Sequence, residues 1–217
     1  VGKKRVDTLL HELAGAGYHP NIISGLAYGI DITAHTACVH YGLKAQAVLG
    51  HGLHMVYPAS HKNMAEKILE QGGALISEFP TCAQILPTNF LQRNRIVAGM
   101  SEAILVAESP VKGGAMSTAR QALSYNRDVM AIPGRPEDST FSGCNLLIKQ
   151  NIAALVENVK DLLRILNWPP LPTEPYQMSL DLFPVTNNEV LIMETLAKMG
   201  EQNIDQLHQL HVSYFYL

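Results

Sequence analysis

The stretch Asn21-Ile22-Ile23-Ser24-Gly25-Leu26-Ala27-Tyr28-Gly29-Ile30-Asp31 decides the fold. Its apolar opening is too short for a helix and runs straight into glycine, which reads as a buried strand. Gly25 to Gly29 then turns the chain, and Asp31 is placed to cap a helix running to about His40. Strand, glycine turn and helix in direct succession make the first half of a βαβ unit.

The same grammar extends in both directions. Upstream, Val6, Leu9, Leu10, Leu13 and Ala14 recur at helical spacing until Gly15 and Gly17 stop them. Downstream, strands are expected over 45–49, 74–78, 103–107, 129–132 and near 154–156. Helices are expected over 61–71, 93–98, 117–125, 146–150 and about 158–166. Apolar strands alternating with amphipathic helices bury both faces of a sheet. The fold class is therefore α/β: a Rossmann-like, doubly wound, mainly parallel sheet with helices on both faces, over residues 1–167. Residues 168–184 hold five prolines and read as a linker. Residues 185–217 read as a small, partial helical module, with one helix over 188–199 and a second, capped by Asp205, through Leu210.

Composition narrows the function classes. Hydrophobic residues at 47% and charged residues at 16% fit a packed globular chain. No apolar run reaches the roughly 18 residues of a membrane span, and Val1 to Arg5 opens no leader core. A cytoplasmic location without membrane association is expected. Cys38, Cys82 and Cys144 form no CxxC pair, so neither a zinc site nor a disulfide framework is indicated. The net charge of −3 excludes a uniformly basic nucleic-acid binder, so any such ligand must be gripped by a local pocket. From Arg93 to Lys149 seven basic residues face five acidic ones, a mildly basic region inside an acidic chain.

Ligands of doubly wound sheets collect beyond the carboxyl ends of the strands. Two glycine loops lie at such crossings: one carries Gly25 and Gly29, the other runs Lys112-Gly113-Gly114-Ala115-Met116-Ser117. Each can be a tight turn without a ligand, or a phosphate site at a helix N-terminus; two in one sheet favour phosphate. Neither has the GxxxxGK[ST] pattern of a Walker loop. Arg93, Asn94 and Arg95 supply planar donors suited to phosphate oxygens. The alternative for either arginine is a structural ion pair with Glu78 or Glu108. His51, His54 and His61 have no cysteine or paired carboxylate near them and read as structural or solvent-facing. Ser24, Ser117 and Ser142 lack a His/Asp partner at any telling spacing. No catalytic residue, metal or cofactor is indicated. The few aromatics, at 6%, predict phosphate gripping with modest stacking from Tyr28 or Phe90.

Six ordered blocks resemble the bacterial DNA-processing protein A family. They are Ser24 to Asp31, Gly50 to His61, Leu75 to Pro80, Arg93 to Ser101, Gly113 to Ala122, and Ala131 to Gly134 with Gly143 to Ile148. The resemblance covers about residues 1–166. It implies an extended Rossmann fold that binds single-stranded DNA in a basic pocket, forms a homodimer and loads a RecA-type recombinase during natural transformation. It also implies that the trailing helices belong to a winged-helix-like domain. Carried over residue by residue, it puts Arg93 and Arg95 near the pocket, with the Gly25–Asp31 and Gly113–Ser117 loops lining it and Lys62 in the segment after Tyr57-Pro58. A first strand with its arginine loop, present in the family, is expected to be missing ahead of Val1. The competing expectation is a nucleotide phosphoribohydrolase-like enzyme of similar fold. Its PGGxGTxxE signature is broken here, because the second Gly-Thr pair and the glutamate are lacking.

Overall fold

The computed structural model describes residues 1–171 and 187–200. The chain divides into two compact units after Leu171. In the second unit a single helix, Asn187–Met199, is described and agrees with the expected 188–199. The helix expected at Asp205 and the proline-rich linker beyond Leu171 lie outside the described residues. No helix among the described residues is long and apolar enough to cross a membrane.

In the first unit the chain order is α1 (Gly2–Gly15), β1 (Asn21–Ser24), α2 (Ile30–Tyr41), β2 (Lys44–Val48), α3 (Lys62–Glu70), β3 (Ala74–Ile76) and α4 (Pro87–Met100). It continues with β4 (Ala103–Val106), α5 (Gly114–Ser124), β5 (Asp128–Ala131), α6 (Ser142–Lys149), β6 (Ala154–Leu155) and α7 (Val159–Ile165). Each helix buries the stripe its periodicity announces. Val6, Leu9, Leu10 and Leu13 of α1 point inward, as do Met116, Ala119 and Ala122 of α5. Gly42 ends α2 at φ 70°, a left-handed backbone that glycine adopts without Cβ strain. Asn158 caps α7, its side chain accepting the Asp161 N–H at 3.2 Å. The elements expected for residues 1–167 are all found, although α4, α5 and α6 begin earlier than anticipated, α4 by six residues.

All strand pairs are parallel, but they form two three-stranded sheets, β1-β2-β3 and β4-β5-β6. The facing edges of β1 and β4 are not paired with each other. From those edges the two sheets grow in opposite directions. Right-handed crossovers therefore put α2 and α3 on one face and α5 and α6 on the other. α1 packs on α2 and α7 on α1, while α4 packs on α5, which completes two helical layers. Between the edges lies a cavity of about 1170 Å³ lined by every residue of β1 and β4, by Leu9 and Leu13 from one layer and by Val97 and Met100 from the other. A strand of five or six residues, at about 3.3 Å per residue, 4.8 Å strand spacing and 10 Å layer spacing, fills roughly 800–1000 Å³. The cavity is comparable in volume to one such strand.

Candidate nucleic-acid interface

The turn after β1 is held from three sides. Leu26 takes φ 55° and is fully buried, so it plugs the loop into the core while Tyr28 projects outward. Asp31 does not act as the N-cap of α2. Gly29 takes that position at φ 92°, and Asp31 reaches back from the first turn to accept the Gly25 N–H at 3.1 Å and the Ala27 N–H at 3.3 Å. Those two amides are thereby satisfied inside the loop. His61, itself buried, places Nδ1 2.7 Å from the Leu26 carbonyl, which makes Nδ1 the protonated nitrogen.

Arg93 is the third support. Its guanidinium donates to the carbonyls of Gly25, at 2.8 Å, and of Val48, joining the carboxyl ends of β1 and β2. It is only 3% exposed. A Cβ on Gly25 would run into that guanidinium, so glycine is required there for close approach. Burial lowers the Arg93 pKa and the nearby Asp31 carboxylate counteracts it. Beneath the same loop lies His35, fully buried, with neither ring nitrogen hydrogen-bonded. Burial lowers its pKa to about 4, against the opposing pull of Asp31. Sequence reasoning missed His35, because an interior face of a helix and a loop floor look alike until the strands are stacked.

Arg95, two residues on, is on the other side of α4. Its side chain is half exposed and ion-paired with Glu78, one of the two carboxylates anticipated for it. Asn94 is half-buried and lines the inter-sheet cavity. Lys62 is exposed at the start of α3.

The second glycine loop lies beyond β4. Gly113 is the N-cap of α5, and a Cβ on it would collide with the Ser109 hydroxyl, whereas Gly114 faces open space. The first turn of α5 has no side-chain cap and no acidic residue. Its end therefore presents free backbone donors and the positive pole of the helix, with exposed Lys112 just ahead. Gly114 and Ala115 line the same cleft as Gly25, Gly29, Arg93 and Asn94. The structure thus brings both glycine loops to one mouth. Gly113, on the second loop, and Ser117, in the first turn of α5, do not line the cavity, and neither do the exposed Arg95 and Lys62.

Between these loops, the segment after β2 is held by His51. Buried His51 places Nδ1 3.0 Å from the Gly52 carbonyl and accepts the Tyr57 N–H on Nε2 at 3.0 Å. This fixes a neutral tautomer and the position of Tyr57, so His51 is a structural residue.

Residues 1–167 match the family of DNA recombination-mediator protein A. The chain is 40% identical over 185 residues to Protein Smf of Escherichia coli, covering 83% of this chain and 48% of that protein. It is 39% identical over 142 residues to the DNA processing protein DprA of Streptococcus pneumoniae, covering 65% of this chain and 50% of that one. The chain spans about half the length of these curated relatives. The crystal structure of the Streptococcus pneumoniae DNA processing protein A superposes with a TM-score of 0.67 at 36% identity, over 75% of this chain and 56% of that one. The Helicobacter pylori protein, for which a single-stranded-DNA binding mode is described, superposes at 0.63 and 28% identity, over 76% of this chain and 74% of that one. With these matches and the parallel α/β architecture, the chain belongs to the DNA recombination-mediator protein A family.

Proposed function

We propose that this chain is the DNA-gripping domain of a recombination mediator that binds single-stranded DNA along the carboxyl edge of its sheets. The observation that carries this reading is the convergence of two glycine loops at the mouth of the inter-sheet cavity, beyond the carboxyl ends of β1 and β4, with the uncapped N-terminus of α5 there and exposed Lys112 just ahead of it. Backbone donors at a helix end suit phosphate oxygens and carry no sequence information, as a mediator that coats arbitrary strands requires. A net charge of −3 is compatible with this, because the donors are local and Lys62 and Lys112 are exposed cations.

The protein's part is non-catalytic: it holds a strand and hands it to a RecA-type recombinase, acting as a homodimer in the cytoplasm during DNA uptake. The Helicobacter pylori relative supports the ligand, and the broken phosphoribohydrolase signature supports the lack of a hydrolytic step. The inter-sheet cavity is large enough to take one further parallel strand. α1 begins at the carboxyl end of β4, where the Gly2 N–H donates to the Glu108 carboxylate at 2.8 Å. A parallel strand in the gap between β1 and β4 reaches that point directly and gives α1 a right-handed crossover.

Fluorescence anisotropy with labelled oligo-dT and duplex, over a salt series, tests the reading. Tighter, salt-sensitive binding to the single strand is expected, with weaker binding after Lys112→Ala. Equal affinity for duplex, or no effect of Lys112→Ala, moves the site elsewhere on the molecule.

A further inference from the structure

Two tyrosines stand exposed where the loops after β1 and β2 meet. Tyr28 is 70% exposed and Tyr57 46%. Large rings are left in water at a cost, and here both are held in place. The Tyr28 ring meets His61 edge-on at 4.8 Å, and its hydroxyl is 3.2 Å from Ser60 Oγ. Tyr57 lies 5.9 Å from Phe90, whose half-buried ring covers Gly50. Each ring thus has an internal aromatic neighbour and an outward surface.

The supports are rigid. Leu26 and His61 anchor the Tyr28 loop, and the buried His51 ring holds the Tyr57 backbone. Ser60, which contacts Tyr28, is three residues from Tyr57, so the Cα atoms of Ser60 and Tyr57 lie within roughly 11 Å of one another. Tyr28, Gly29 and Phe90 line the cleft shared with Gly114. The phosphate donors and the aromatic surface therefore belong to one edge of the molecule.

We infer that Tyr28 and Tyr57 form a stacking platform for unpaired nucleobases, which resting on the single-stranded-DNA reading makes it the element that discriminates against duplex. A phosphate cradle alone grips either form. A ring face is usable only by a base that is not already paired and stacked in a helix. Platform rings on pinned loops lose little freedom on binding, which suits capture of arbitrary sequence.

The test uses the whole chain with fluorescein-labelled dT oligonucleotides, the same length of abasic oligonucleotide, and dT containing one 2-aminopurine. Tyr28→Ala and Tyr57→Ala are each expected to weaken oligo-dT binding by about 5- to 150-fold, the range for loss of one stacked base. Both should leave abasic binding and the thermal melting curve nearly unchanged and reduce 2-aminopurine quenching. Tyr57→Phe should retain parental affinity, since a ring is kept. The platform is overturned if the parent binds oligo-dT and the alanine variants bind it equally well. It is also overturned if they lose abasic binding to the same degree. A parent that binds no DNA at all overturns the mediator reading as well, so the two failures are distinct.

Discussion

Arg93 and Arg95 are separated by one residue, yet the structure gives them opposite work, and two substitutions expose the difference. Arg93→Met keeps the aliphatic stem and removes the guanidinium that bonds the Gly25 and Val48 carbonyls. A hydrogen bond from a charged donor contributes about 1.5–3 kcal/mol, and two buried carbonyls would be left unsatisfied. Relief from burying a cation, whose pKa burial already lowers, offsets part of this. The expected net loss is about 3 kcal/mol, or a Tm drop of about 6–12 °C for a domain of this size. Arg95→Ala breaks a half-exposed ion pair with Glu78 and should cost under about 1 kcal/mol. Its signature is in binding: the slope of log affinity against log salt for oligo-dT should fall by about 0.7. Thermal and urea denaturation read the first effect, and anisotropy over a salt series reads the second. Unchanged stability with a reduced slope for Arg93→Met would refute the reasoning, because the guanidinium would then be reaching phosphate. An Arg95→Ala protein destabilised by several kcal/mol with an unaltered slope would refute it from the other side.

Other outcomes follow from the same geometry. Glu78→Gln frees Arg95 of its counter-charge and should raise affinity for oligo-dT severalfold at low salt, with the gain vanishing as salt screens it. His35 titrates at about 4 in the fold but near 6.5 unfolded, so the unfolded chain binds the extra proton. Stability should therefore be complete above pH 6.5 and fall by up to about 3 kcal/mol as pH drops towards 4, while His35→Leu flattens that part of the urea-midpoint profile. Gly113→Ala forces a Cβ into Ser109 and should destabilise by about 1–3 kcal/mol, whereas Gly114→Ala meets open space and should leave melting unchanged or slightly raised. An apolar Val/Ile strand fused through a Gly-Ser turn ahead of Val1 should raise the Tm and protect alternate amides of β1 and β4 from exchange. An extension of equal length made of Gly and Ser should do neither, and equal behaviour of the two would count against a strand-sized slot.

The sequence by itself determined the alternation of elements, and with it the parallel α/β class. Each strand is a short apolar run closed by a turn residue, as in Asn21–Ser24 before Gly25, and each helix carries its own stripe. These signals are local, so periodicity reads them directly. It also placed both glycine loops at the carboxyl edge and offered Glu78, alongside Glu108, as an arginine partner. What only the tertiary structure decided is which polar groups face inward. Arg93 and Arg95 both sit on α4 within an RNR run, and nothing in that run says that one guanidinium ties β1 to β2 while the other stays in water. The Gly25 and Ala27 amides, which look free for phosphate, are taken by Asp31 from the next turn of chain. His51 and His61 read, with His54, only as structural or solvent-facing until burial and hydrogen bonding make one a support for Tyr57 and the other an anchor for Leu26, while His35, the loop floor, gives no signal at all in the sequence. The unpaired edges of β1 and β4 are likewise invisible in either strand alone. Burial and partnership are properties of the packed whole: they depend on which residues, distant in sequence, the strand order brings within a few ångströms.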